Sequence, residues 1–307
     1  MSSKRSLSGF TAKDLPDLSD TRALVTGANS GIGFHAARAL ADHGAEVVLA
    51  CRNTDSAREA AVKMPGVTVV EELDLASQKS VHSFVEHFEG PLDLLVNNAG
   101  VMTPPRYRET EDGHELQFGT NHLGHFALTG LLLPALLATS APRVVTVASI
   151  AHHRGDESVL EGNPEASYDP QKTYGNSKLA NLLFARELHR RATEAGVRLI
   201  STACHPGVSA TNLVGSRDGM GSNLVVRTLS PFFMPLVFQS STAGANPTLY
   251  AATYAEPGSF VGPTWLMESR GRLGHGKLSR HARNDDLGRT LWELSEEKTG
   301  VRFDFAG

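Results

Sequence analysis

The chain reads as an α/β protein built on a doubly wound parallel sheet of the Rossmann type. Two observations predict this. From Thr21 onward, short β-branched or aliphatic runs alternate with longer segments of helical period. The first of these runs ends in a glycine-rich turn that opens a helix. The expected strands are residues 22–27, 45–51, 67–73, 92–98, 142–149 and 197–204, mostly apolar as strands covered on both faces must be. Between them, residues 32–43, 77–88, 113–139 and 174–195 carry apolar side chains three or four apart and read as crossover helices. Right-handed crossovers place a ligand crevice at the carboxyl ends of the strands. Chemistry-bearing residues are therefore expected just after strands.

The chain has 307 residues, enough for two domains at about 150 residues each. The motifs below run through one continuous sheet, however, so a single domain over residues 21–307 is expected, preceded by a mobile leader at 1–20. The leader has no apolar run of signal-peptide length. Basic residues number 29 and acidic residues 33, which argues against nucleic acid as a partner. The longest apolar stretches are too short to span a bilayer, which takes about 20 residues. Two cysteines give neither a disulfide framework nor a cysteine-rich zinc site, which fits a cytoplasmic setting.

The first expected strand runs into Thr26-Gly27-Ala28-Asn29-Ser30-Gly31-Ile32-Gly33. Here Gly27 permits a tight turn, Gly31 lets backbone N–H groups approach a pyrophosphate, and Gly33 lets the helix pack close to the strand. The second strand ends Ala50-Cys51-Arg52-Asn53. An NAD-binding protein usually places a carboxylate there, against the ribose 2′-hydroxyl. Arg52 instead offers a cationic fork to a 2′-phosphate, favouring NADP(H) over NAD(H). The bland alternative is an exposed arginine at a strand end.

With these motifs the chain resembles the short-chain dehydrogenase/reductase family. The resemblance rests on TGANSGIG, the Asp74-Leu75 pair, NNAG at 97–100, Asn121 in TNHLGHF, Ser149, Tyr174-x-x-x-Lys178, and Pro206-Gly207 with Thr211. LACRN, NNAGVM, NHLGHFALT, ASIAHH and YGNSKLANLLF look most like its retinol-dehydrogenase-like, NADP-dependent group. It implies cofactor contacts at Gly27, Asn29, Ser30, Gly31, Ile32, Gly33, Arg52 and Asn53. It implies others at Asp74, Leu75, Asn98, Ala99, Gly100, Tyr174, Lys178, Pro206, Gly207, Val208 and Thr211. Asp74 would lie near the adenine, or else simply form a turn. NNAG would wall the cofactor, or else only end a strand and brace the sheet.

The residues also carry their own chemistry. Tyr174 and Lys178 are four apart on a helix and share a face. A tyrosine of pKa about 10 is a poor base near neutrality. The lysine ammonium and an oxidised nicotinamide would stabilise its phenolate. Tyr174 would then exchange a proton with a carbonyl or alcohol oxygen, with Ser149 hydrogen-bonding that oxygen. By resemblance Lys178 holds the nicotinamide ribose, and Asn121 fixes a water that links Lys178 to solvent. Tyr168 and Lys172 have the same spacing, but Pro170 between them disfavours a shared helix.

Residues 152–173 read as a surface excursion that leaves the pairing of Ser149 with Tyr174 intact. Residues 208–245 include a strongly apolar run and are expected to form a substrate lid, or else to complete the core or an oligomer contact. A last amphipathic helix ending at Gly300 should pack on the core or on a partner subunit. His122, His125, His152 and His153 lack metal-binding spacing, so no metal is expected.

The expected activity is hydride transfer between NADP(H) and a carbonyl or alcohol, of lipophilic (retinal-like, long-chain or isoprenoid) substrates. The alternative is a catalytically silent dinucleotide-binding regulatory protein, since fold does not fix function. The resemblance allows a homodimer or homotetramer.

Overall fold

A computed structural model describes residues 7–207 and 240–306. Its strands are β1 (Arg22–Thr26), β2 (Glu46–Cys51), β3 (Thr68–Glu72), β4 (Leu94–Asn97), β5 (Arg143–Val147), β6 (Ile200–Cys204), β7 (Phe260–Trp265) and β8 (Arg270–His275). They form one sheet in the order β3-β2-β1-β4-β5-β6-β7-β8, with only β8 antiparallel to its neighbour. The chain order reverses between β1 and β4, which opens a crevice at the ends of those strands.

The helices are α1 (Gly31–Asp42), α2 (Thr54–Ala61), α3 (Gln78–Glu86), α4 (Leu116–Phe118), α5 (Gly124–Leu131), α6 (Leu133–Leu137), α7 (Pro170–Glu194), α8 (Ser241–Thr253) and α9 (Asp285–Thr299). Side chains alternate across the sheet with period two. Val25, Leu49, Val96 and Val145 meet Leu40 of α1 and Leu249 of α8 on one face. Leu24, Val48, Leu95 and Val144 meet Phe126 of α5, Phe184 of α7 and Trp292 of α9 on the other. Both faces are covered over β1, β2, β4, β5 and β6, which are therefore buried nearly throughout.

The structure departs from the sequence expectations in several places. The expected helix at 113–139 is three helices with a π-turn, Gly119–Leu123, between α4 and α5. The segment packs tightly where it breaks, since a Cβ on Gly124 would lie 2.4 Å from the Leu75 carbonyl oxygen. The hairpin β7–β8 was not foreseen, because its glycines, proline and arginines hide any strand pattern. Nor was α8, which carries Pro247 in its interior. Residues 241–245 of the expected lid are the start of that helix, while 208–239 lie outside the described residues.

Part of the expected leader packs on the fold. Phe10 is buried edge-on against Tyr250 and Tyr254, and the Tyr254 hydroxyl donates to the Asp14 carbonyl at 3.0 Å. One buried aromatic per short turn is too sparse a signal to read as an element. The excursion at 152–173, expected at the surface, buries Val159 and Asn163. The last helix packs on the core of its own chain, where Trp292 stacks on Phe184 at 5.8 Å beneath the Arg191 guanidinium. Its C-cap is Gly300, at φ +69°.

Candidate active site

At the carboxyl ends of β1, β2, β4, β5 and β6 lies a cleft of about 550 Å³. One end of it is the glycine turn. Gly27 and Gly31 have φ of +66° and +58°, conformations that side chains with a Cβ resist. Ser30 precedes α1 without capping it through its side chain, so the helix presents open N–H groups to the cleft. Asn29, Ile32 and Gly33 line the same end. These features fit the pyrophosphate of a dinucleotide.

A Cβ on Gly33 would fall 2.4 Å from Asn98 Nδ2 and 2.6 Å from the Gly27 carbonyl oxygen. Gly33→Ala must therefore push α1 off the turn. We expect a stability loss of about 1–3 kcal/mol and loss of dinucleotide affinity, read as a lower Tm and by titrating NADPH fluorescence.

Arg52 is exposed at the rim of the cleft. Its neighbour Asn53 lines the rim too but is occupied locally, its Oδ1 accepting from Ser56 N–H at 3.0 Å as the N-cap of α2. Asp74 and Leu75 follow β3 and close that side. Asp74 forms a turn and also faces the cleft. Its Oδ1 accepts from Ala76 N–H at 2.9 Å, a turn contact, while the residue lines the cleft.

Asn98, Ala99 and Gly100 line the opposite side of the cleft. The Thr26 hydroxyl oxygen accepts from the N–H groups of Asn98 and Ala99, both at 2.9 Å, and Asn98 Nδ2 donates to the Thr26 carbonyl at 2.8 Å. Asn97 braces α5 by donating to Thr129 Oγ1 at 3.0 Å.

At the other end stand Ser149, Tyr174 and Lys178. Ser149 follows β5 and caps a short 3₁₀ turn, Ile150–Arg154, its Oγ accepting from Ala151 N–H at 3.2 Å. Tyr174 and Lys178 are one turn apart on α7, with the ammonium 5.8 Å from the phenol ring centroid. Gly155 and Gly175 let the Ser149 loop and α7 meet. A Cβ on Gly155 would lie 2.8 Å from the Gly175 carbonyl oxygen, and one on Gly175 would lie 3.0 Å from that of Ala151. This contact sets Ser149 opposite Tyr174.

Electrostatics mark these side chains apart from surface ones. Burial raises the Tyr174 hydroxyl to about 12, opposed by its hydrogen bond with Ser149. Burial lowers the Lys178 ammonium to about 8. Lys178 Nζ donates to the Val147 carbonyl at 3.1 Å, which also accepts from Asn181 Nδ2 at 3.2 Å.

Asn121 is wholly buried in the π-turn, behind the wall. Its Oδ1 accepts from Val101 N–H at 2.8 Å, and its Nδ2 donates to the Val101 carbonyl and to Ser177 Oγ, each at 3.0 Å. A Cβ on Gly100 would lie 3.0 Å from Asn121 Oδ1 and 3.7 Å from Lys178 Nζ, so these three residues meet at one point.

Pro206 and Gly207 complete the cleft, whereas Val208 and Thr211 lie outside the described residues. The competing pair is separated. Tyr168 precedes α7 and donates to the Pro104 carbonyl at 2.7 Å, while Lys172, inside the helix, pairs with Asp156. Pro170 begins the helix at its first position, where its missing N–H costs nothing.

Val101, Met102 and Thr120 line the cleft, and Asn181 and Gly175 support it, without having been singled out from sequence. Only Asn181 had a readable signal, an amide three residues after Lys178 on the same helical face. Among the described residues no group of histidines, cysteines and carboxylates is arranged to hold a metal. His122 and His125 are buried and held neutral, at about 3 and about 4, by burial. Cys51 and Cys204 are buried free thiols whose pKa values burial raises.

Residues 21–220 match the family model described as short chain dehydrogenase. Human retinol dehydrogenase 14 is 38% identical over 299 residues, covering 91% of this chain and 86% of its own length. Mouse retinol dehydrogenase 12 is 39% identical, covering 92% and 87%. A solved protein of Mycobacterium paratuberculosis is 43% identical with a TM-score of 0.82, covering 96% of this chain and 99% of that one.

Proposed function

The chain belongs to the short-chain dehydrogenase family, is an oxidoreductase of its retinol-dehydrogenase-like group, and from that premise we propose an NADP(H)-dependent carbonyl reductase and alcohol dehydrogenase acting on lipophilic substrates. The observation that carries this reading is the convergence of Tyr174, Ser149 and Lys178 at one end of a cleft whose other end is the glycine turn. Names of similar proteins, retinol dehydrogenases 12 and 14, support a retinal-like, long-chain or isoprenoid substrate. The free buried cysteines accord with a cytoplasmic setting. Among the described residues no helix is long and apolar enough to cross a membrane.

The glycine turn and the open start of α1 would hold the pyrophosphate, Arg52 a 2′-phosphate, and Lys178 the nicotinamide ribose. When bound, the nicotinamide supplies or takes up the hydride. In reduction the substrate carbonyl oxygen accepts hydrogen bonds from Tyr174 and Ser149. As the C=O π pair moves onto that oxygen, the Tyr174 O–H bond breaks and its proton passes to it. Lys178 stabilises the phenolate left behind, and Asn121 keeps Val101 and Ser177 in place around it. Oxidation runs the same steps backward.

The test compares NADPH and NADH consumption over a panel of aldehydes and ketones, for wild type and Arg52→Asp. Loss of a charge-assisted contact, worth about 1.5–3 kcal/mol, should cost the variant roughly 10–100-fold in kcat/KM with NADPH and turn its preference toward NADH. Equal use of both cofactors by wild type would remove the role given to Arg52. Turnover of small polar carbonyls as fast as isoprenoid ones would remove the lipophilic substrate.

A further inference from the structure

We propose that His125 is a positioning residue, one imidazole that holds the Asn121 carbonyl with one ring nitrogen and the Thr26 hydroxyl with the other, coupling the π-turn to the dinucleotide wall. His125 lies on α5, is 1% exposed and lines no part of the cleft. It acts through residues that do.

Two contacts fix which nitrogen carries the proton. His125 Nδ1 is 3.0 Å from the Asn121 carbonyl oxygen, which can only accept, so Nδ1 is protonated. Nε2 is 2.9 Å from Thr26 Oγ1, whose oxygen already accepts from Asn98 and Ala99. The Thr26 hydroxyl proton therefore needs an acceptor. The Val96 carbonyl is 3.4 Å away, and Nε2 is the nearer choice. Both contacts demand the same Nδ1–H tautomer of an uncharged ring. Burial supports this by lowering His125 to about 4, opposed by its hydrogen bond to the Asn121 carbonyl and reinforced by the Lys178 ammonium.

The consequence runs both ways from the ring. At the π-turn, Gly124 N–H reaches back five residues to Gly119, and the ordinary helical ladder is displaced around Asn121. Nδ1–H pins the displaced carbonyl, and the Asn121 side chain is thereby aimed at Val101 and Ser177. On the other side, Nε2 orients the Thr26 hydroxyl so that its lone pairs face Asn98 and Ala99. Without that acceptor the hydroxyl proton is left with only the longer contact to the Val96 carbonyl at 3.4 Å, which reorients the oxygen's lone pairs relative to the two N–H groups.

Two substitutions separate these bonds. A glutamine places its amide where Nε2 stands, keeping an acceptor for Thr26 and losing the donor to Asn121. An asparagine places its amide where Nδ1 stands and does the reverse. His125→Asn should weaken NADPH binding roughly tenfold by fluorescence titration, with kcat at saturating cofactor within about twofold of wild type. His125→Gln should bind NADPH within about twofold of wild type and lose roughly tenfold in kcat, with a displaced pH profile. Equal losses in both quantities for both variants, or none, would overturn the coupling.

Nitrogen-15 NMR of wild-type protein decides the tautomer even if the variants fail to fold. An Nδ1–H ring that stays neutral between about pH 6 and 8 supports the proposal, and an Nε2–H ring or an imidazolium overturns it. The tautomer and the NADPH affinities stand apart from the assigned reaction. A wild type that binds NADPH but reduces no carbonyl would refute the activity, and these two readouts would still decide the role of His125.

Discussion

Tyr174→Phe should lower carbonyl turnover by about 10²–10⁴-fold, the range that a positioned general acid contributes, while NADPH affinity and Tm change little. The substitution removes one hydroxyl and keeps the ring that lies near Lys178. With its pKa raised to about 12, Tyr174 is fully protonated at neutral pH, which suits it to give a proton to a carbonyl oxygen. The reverse direction needs the phenolate, so alcohol oxidation by wild type should rise with pH where reduction does not. Rates for both directions, measured over a pH series in wild type and variant, check this. A variant that retains more than about a tenth of wild-type turnover would take the acid role from Tyr174.

Lys178→Met should abolish most turnover and yet raise stability. The ammonium is almost wholly buried, and its fall from the ordinary 10.5 to about 8 reflects charge-burial cost. At 1.36 kcal/mol per pKa unit that cost is about 3 kcal/mol, and a methionine of similar volume avoids it. A gain of several degrees in Tm is expected near neutral pH.

The pH dependence has a definite sign. Between pH 8 and 10.5 the unfolded side chain keeps its proton while the folded one has lost it, so wild-type stability rises with pH there. The advantage of the variant is therefore full below pH 8 and fades as pH approaches 10.5. Thermal melts at several pH values, alongside NADPH consumption, test both halves. A variant less stable than wild type at pH 7 would mean that Lys178 is kept for the fold and not for the reaction.

Much of this was legible in the chain itself. Buried parallel strands must be apolar on both faces, so the six parallel strands from β1 to β6 stood out wherever aliphatic residues ran together. The glycine turn was legible because a positive φ and a close backbone approach exclude side chains at Gly27, Gly31 and Gly33. Tyr174 and Lys178 could be paired because helical spacing is local.

What the chain did not disclose depends on contacts between segments distant in sequence. β7 and β8 carry too little apolar pattern to be read alone, and become strands by pairing at the end of an existing sheet. α8 tolerates Pro247 because it is packed between the sheet and the early residues around Phe10. Gly124 packs too close to the Leu75 carbonyl for a side chain, and Gly155 against Gly175 brings the Ser149 loop to α7. His125 Nε2 meets the hydroxyl of Thr26, 99 residues away in the chain.

The sequence by itself determined the fold class, the glycine turn and the pairing of Tyr174 with Lys178 on one helix face, because each is a matter of local stereochemistry or periodicity. Only the tertiary structure decided their distances, their protonation and their supports. Burial and hydrogen-bond partners exist only once remote segments have packed, and it is burial that moves Tyr174 and Lys178 away from their ordinary pKa values.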